Sequence, residues 1–218
     1  MENASRPEIV CRLLQEYGQT YAEQLHIPIE ENSPSALFQL LCAALLFSAR
    51  IRETVAIEAC KALAEQGWTT PDKMLEATWE ERTKCLNQSG YARYDERTST
   101  MLGETAQILM DRYDGDLRQL REAAEWDLKQ EQQRLMEFKG IGNVGANIFL
   151  REVQGVWEEV FPFADDRILE TAKAMNLPDR VEDLQHLVDD QDFPRLVAAL
   201  VRVRLAHCED EILHEINH

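Results

Sequence analysis

Residues 138–147, Phe138-Lys139-Gly140-Ile141-Gly142-Asn143-Val144-Gly145-Ala146-Asn147, combine the residue types that hold an anion with backbone amides. A helix ending near Phe138 would turn at Gly140-Ile141-Gly142 and restart at Asn143. Gly140 and Gly142 permit torsions and close approaches that a side chain prevents. Ile141 would anchor the turn in the core. The amides of Gly142 and Asn143 would then point outward at the positive end of a helix dipole, where phosphate oxygens bind. An ordinary tight connection between two helices has the same short pattern, so the motif alone leaves both readings open.

The chain around this motif is acidic, with a formal net charge of −17 over 218 residues. Nucleic-acid affinity rests on Lys and Arg at phosphates, so this balance opposes indiscriminate binding. The distribution matters more than the sum. Residues 1–35 carry 2 basic and 6 acidic groups, 101–137 carry 5 and 9, and 181–218 carry 3 and 9, so these segments hold 14 of the 17 excess negative charges. The segments around Leu46-Phe47-Ser48-Ala49-Arg50 and around the glycine motif are close to neutral. An anionic ligand could therefore approach one face only.

Cys11, Cys42, Cys60, Cys85 and Cys208 are odd in number and contain no Cys-x-x-Cys pair. They read as buried free thiols rather than a disulfide framework or a cysteine-only metal site. His207-Cys208 with His214 is the one cluster of ligand types, and it lacks a fourth ligand at a regular spacing, so no metal is expected. The longest apolar run, 36–49, is too short to span a bilayer and carries Gln39. The N-terminal MENASRPEIV lacks the basic-then-apolar layout of a signal peptide, so a cytoplasmic protein is expected.

The elements that must position these residues all read as helix. Residues 36–49 and 52–66 are rich in Ala and Leu without a period of two, and suggest a buried helical hairpin. Thr70 with Pro71 marks a helix start, and Gly90 a helix stop. The stretch 94–113 places Met101, Ala106, Leu109 and Met110 on one stripe. Asp127 caps a helix leading into the glycine motif, and further helices are expected at about 143–153, 166–176, 179–188 and 194–207. The fold class is all-α.

The order of features resembles the helix-hairpin-helix DNA glycosylase superfamily, closest to its endonuclease III branch. Residues 138–147 match the family's hairpin, Leu-Pro-Gly-Val-Gly-x-Lys-Thr-Ala-Asn. Ala164-Asp165-Asp166-Arg167-Ile168 matches its Val-Asp-Thr-His-Ile. Leu46-Phe47-Ser48-Ala49-Arg50 is similar to its Leu-Leu-Ser-Ala-Gln, and Gly90-Tyr91-Ala92-Arg93-Tyr94 to its Gly-aromatic, basic segment. The likeness spans roughly 35–175, with a looser echo at 193–205. It implies a two-lobed helical fold with an interlobe cleft. A central barrel would cover 32–150, with the hairpin at about 128–152, and a second lobe would join 1–31 to 151–218. The acidic 181–218 segment would have to face away from DNA.

Carried over residue by residue, the resemblance puts Asp165 on the aspartate that assists hydrolysis of the bond between base and sugar. Breaking that bond builds positive charge on the sugar, which a carboxylate stabilises while it orients water. Asp166 is the rival, and Ile168 in the family's apolar position three residues later favours Asp165. Either reading also lets Asp165 cap the next helix. DNA contacts fall to Lys139, Gly140, Ile141, Gly142, Asn143 and Gly145. Arg50 stands where the family inserts a Gln into the duplex, and it could fill the hole left by a flipped base. Trp68, Tyr91, Tyr94 and Phe163 are the aromatic candidates for a base pocket.

Two departures narrow the chemistry that the resemblance implies. The Schiff-base lysine of strand-cutting members falls at Val144, which cannot be a nucleophile, so a monofunctional glycosylase is expected. The iron–sulfur cluster needs four closely spaced C-terminal cysteines and only Cys208 remains, so no cofactor is expected. The hairpin leaves room for a monovalent cation. The partner would be duplex DNA, damaged or abasic, bound by a monomer, at the nucleoid if bacterial. The alternatives are a catalytically inactive DNA-binding relative and a protein-interaction module in which the hairpin is only architecture.

Overall fold

The computed structural model describes residues 5–216. Met1–Ala4 of the N-terminal stretch read above lies outside the described residues, as do Asn217 and His218. In chain order the α-helices are α1 (Arg6–Tyr17), α2 (Tyr21–Gln24), α3 (Pro34–Phe47), α4 (Glu53–Glu65), α5 (Pro71–Glu76), α6 (Trp79–Gln88) and α7 (Asp95–Tyr113). There follow α8 (Leu117–Ala123), α9 (Leu128–Leu135), α10 (Asn143–Val153), α11 (Asp166–Ala174), α12 (Val181–Gln185), α13 (Phe193–Ala206) and α14 (Glu209–Ile216). No strand occurs among the described residues, and the protein is all-α. The chain divides into two compact units, Leu25–Leu150 and Met1–Gln24 with Arg151–His218.

In Leu25–Leu150, α3 is apolar on every side, and between 36 and 46 only Gln39 escapes full burial. A helix of that composition must be enclosed by others, and α4 packs directly against it. Ser33 begins α3 by accepting the Ala36 amide at 3.3 Å, with Pro34 as first helical residue. Thr70 occupies the cap position of α5, yet its side chain makes no capping bond. The next helix, α6, has a full capping box at Thr78, where Oγ1 accepts from the Glu81 amide (3.1 Å) and Glu81 Oε2 from the Thr78 amide (2.8 Å). Asp127 caps α9 as expected, accepting the Gln130 amide at 2.9 Å.

The buried stripe of α7 differs from the expected one. Ala106 and Leu109 belong to it, whereas Met101 and Met110 are half-buried and Leu102, Thr105 and Tyr113 take the inner positions. Hydropathy misses this register because buried hydroxyls share the inner face. Ser99 Oγ donates to the Trp79 carbonyl at 2.9 Å and Thr105 Oγ1 to the Lys139 carbonyl at 3.1 Å, which satisfies both.

Arg82 locks α5, α6 and α7 together. It is buried, and its guanidinium donates to the carbonyls of Met74 (2.9 Å), Ala77 (2.5 Å) and Ser99 (3.1 Å). Gly103 makes room for it, since a Cβ there would lie 2.8 Å from Arg82 Nη2. Arg82→Met keeps the aliphatic bulk and strands three carbonyls. It is expected to cost about 3 kcal/mol, read as a lowered midpoint in urea unfolding. An unchanged midpoint would show that water replaces the guanidinium without loss.

In the other unit, α1 and α11 both pack on α13, around Ile9, Leu13, Ile168, Phe193, Leu196 and Val203. Helix α14 was not anticipated. Its first turn carries Glu209, Asp210 and Glu211 at the positive end of the helix dipole, and Ile212 is buried. Cys42 and Cys85 are buried, Cys60 and Cys208 half-buried, but Cys11 is exposed, because α1 turns its other face to α13.

Candidate nucleic-acid interface and carboxylate site

The glycine turn forms between α9 and α10. Helix α9 ends at Leu135, sooner than the expected Phe138. Gly140 has φ +85°, and a Cβ on it would lie 2.6 Å from Met101 Sδ. Met101 therefore packs against the turn at Gly140 rather than on the inner face of α7. Ile141 is buried, as its anchoring role requires. Gly142 is different, with no positive φ and nothing within 4 Å of the position its Cβ would take. Neither torsion nor packing inside the protein calls for glycine there.

Helix α10 starts at Asn143, and its amides of Asn143 and Val144 precede the first intrahelical bond, from the Ala146 amide to the Gly142 carbonyl (2.9 Å). These first-turn donors have no helical acceptor. Lys139, Gly142, Asn143 and Val144 are exposed around them. Val144 is 42 % exposed and gives this surface an apolar element. Gln132, which sequence reasoning missed, ties the helices across the turn by donating to Asn147 Oδ1 at 2.7 Å.

Three of the sequence landmarks meet at the C-terminal end of α3. A Cβ on Gly145 would lie 3.5 Å from the Ala44 carbonyl oxygen, so α10 crosses α3 closely there. Tyr91 Oη donates to the Leu46 carbonyl at 2.9 Å, which joins the Gly90–Tyr94 segment to the same end. Tyr91 is therefore core and not a pocket wall; burial pushes its phenol up to about 12. Tyr94 stands edge-on to Tyr91 at 6.5 Å with the Arg93 guanidinium 5.3 Å over its ring. Arg50 lies exposed in the bend after α3. Trp68 lines a surface groove with Lys61 and Lys84.

Asp165 is the N-cap of α11, its Oδ1 accepting the Arg167 amide at 3.2 Å. Its side chain is 12 % exposed, and Oδ2 lies 3.5 Å from Arg151 Nη1 in the last turn of α10. Asp166 is exposed in the first helical turn. The segment leading to Asp165 is held by Gln154, which is 2 % exposed. Its amide accepts from the Phe163 amide (2.9 Å) and donates to the Phe163 carbonyl (3.1 Å). Phe163 is half-buried. Arg151 and Gln154 carry no signal in the sequence, since both sit in helical or loop positions where polar residues are ordinary.

Among the described residues, no three His, Cys, Asp or Glu side chains gather as a metal site. His207 takes the left-handed conformation that ends α13, and Cys208 Sγ lies 3.9 Å from Tyr17 Oη. No helix is long and apolar enough to cross a membrane among the described residues.

Neither a protein-family profile nor a curated protein sequence matches the chain. Its structure is similar to that of endonuclease III, both in a trapped covalent intermediate with DNA, an estranged-adenine complex, and in a non-covalent complex with DNA. Each likeness has a TM-score of 0.51 and 20% sequence identity, and covers 79% of this chain and 75% of the other. The protein shares the all-helical endonuclease III fold.

Proposed function

We propose that this protein is a monofunctional DNA repair glycosylase. It would bind duplex DNA through the glycine turn, flip a damaged base out of the stack and hydrolyse the bond between base and sugar. The observation that carries the reading is the open space at Gly142 beside the unbonded amides of α10, a surface shaped for an acceptor that the protein does not itself supply. The DNA complexes of endonuclease III, which has the same fold, support the same ligand.

In this reaction the C–N bond breaks with its electron pair leaving on the base, and positive charge grows on the sugar. The Asp165 carboxylate stabilises that charge and orients the water that attacks the sugar carbon. Val144 offers no amine, so no covalent adduct with the sugar forms and the strand is left intact at an abasic site. Lys139 and the turn amides contact phosphate, and Arg50 fills the gap in the duplex. The protein works as a cytoplasmic monomer without an iron–sulfur cluster, and a monovalent cation, if bound, would be held at the hairpin and would add positive charge beside the phosphate.

The test is a panel of duplexes with damaged or mismatched bases. Strand breaks are expected only after hot alkali, and borohydride should trap no adduct. Breaks without alkali would refute the monofunctional assignment. Binding to an abasic-analogue duplex should weaken with salt by a slope of only a few units, as few phosphates are contacted. No binding at low salt would leave the hairpin as architecture alone. A catalytically inactive DNA-binding relative is the second reading, favoured by the Arg151 guanidinium that already engages Asp165. Binding without excision across the panel would select it.

A further inference from the structure

Asp165 is held by more than the helix it caps. Capping occupies Oδ1 alone, at 3.2 Å from the Arg167 amide. That single cap bond can break as the side chain changes rotamer, so by itself it does not hold the carboxylate in one direction. Here Oδ2 faces Arg151 Nη1 at 3.5 Å, and the two side chains are 12 % and 13 % exposed. The backbones of both partners are stapled by one buried amide. Gln154 Nε2 donates to the Arg151 carbonyl at 2.9 Å and to the Phe163 carbonyl at 3.1 Å, while its Oε1 accepts the Phe163 amide at 2.9 Å. Phe163 is two residues before Asp165, so the spacing between guanidinium and carboxylate is set at both ends. Arg151 also lies within electrostatic reach of Glu152, whose carboxylate accepts the Tyr21 and Ala22 amides at 3.2 and 2.8 Å.

From this geometry we infer that Arg151, set by Gln154, is the positioning residue of Asp165, fixing the direction in which its carboxylate faces the reacting sugar. The inference rests on the glycosylase reading of Asp165. Two effects of Arg151 oppose each other. Its charge disfavours the positive charge growing on the sugar, while its Nη1, 3.5 Å from Oδ2, holds the carboxylate that stabilises it. Orientation dominates, because a misplacement of about 1 Å at a reacting centre costs about a hundredfold. Lysine would keep the charge but lose the planar fork.

The experiment compares wild type, Arg151→Gln and Arg151→Lys in single-turnover excision, and measures the Asp165 χ1 rotamer from three-bond couplings without DNA. Arg151→Gln should lower the excision rate about a hundredfold while binding to an abasic-analogue duplex changes by less than about twofold, and Arg151→Lys should recover about tenfold. The Asp165 side chain should occupy one rotamer in wild type and average over several in Arg151→Gln. A rate that rises or holds in Arg151→Gln, or a χ1 that stays single, overturns the inference. If wild type excises nothing, the glycosylase reading fails. The χ1 comparison then decides by itself whether Arg151 orients the carboxylate.

Discussion

Asp165→Asn is expected to lower base excision by about 10²–10³-fold, the usual loss when one electrostatic stabiliser of a transition state is removed. The substitution is informative because it leaves most else in place. Asparagine is as good an N-cap as aspartate, and its side-chain oxygen can still accept the Arg167 amide that Asp165 holds at 3.2 Å. What disappears is the negative charge that the proposed reaction needs beside the sugar, and with it the ion pair to Arg151. Thermal stability should therefore fall little, and affinity for an abasic-analogue duplex should hold. Asp166→Asn is the control, since Asp166 is exposed in the first turn of α11. It should excise within about twofold of wild type, as exposed substitutions usually do little. If the two variants exchange behaviour, Asp166 is the catalytic carboxylate. If alkali-labile sites persist in both, neither is.

The second large effect separates the two glycines of the turn. Gly140→Ala puts a Cβ at a φ of +85° and 2.6 Å from Met101 Sδ. Left-handed backbone costs an L-residue about 1–2 kcal/mol, and forcing Met101 aside adds to it. A total of about 3 kcal/mol is expected in urea unfolding. Gly142→Ala meets nothing within 4 Å and adopts an ordinary φ, so stability should stay within about 0.5 kcal/mol. Its methyl group would stand where the turn amides face a phosphate, and duplex affinity should drop about tenfold, the loss of one charge-assisted hydrogen bond. Fluorescence anisotropy with a labelled duplex reads this directly. A Gly142→Ala protein that binds DNA as tightly as wild type would remove the turn from the interface.

These expectations differ in how far they could be read from the chain alone. A glycine turn near 140–142, Asp127 as a cap and α10 from Asn143 to Val153 were all legible, because each is decided by neighbours within a few residues, though not that Gly140 alone takes the left-handed torsion. The site was legible only in pieces. Tyr91 is one of several aromatic candidates for a base pocket in the sequence, but its hydroxyl donates to the Leu46 carbonyl, 45 positions away in the chain, which makes it core. Met101 looked like core and proved to be the support under Gly140. Arg82 gave no sign of closing three helices at once.

By itself the amino-acid sequence determined the all-helical class, the glycine turn between two helices, and the absence of an amine at Val144. These follow from local torsions, helical period and side-chain chemistry, which need no partner. The tertiary structure decided which groups meet. It set Gly145 against the Ala44 carbonyl, Tyr91 on Leu46, and Arg151 with Gln154 around Asp165. Such pairings depend on how the loops lead one helix past another, and no period in the chain encodes that path.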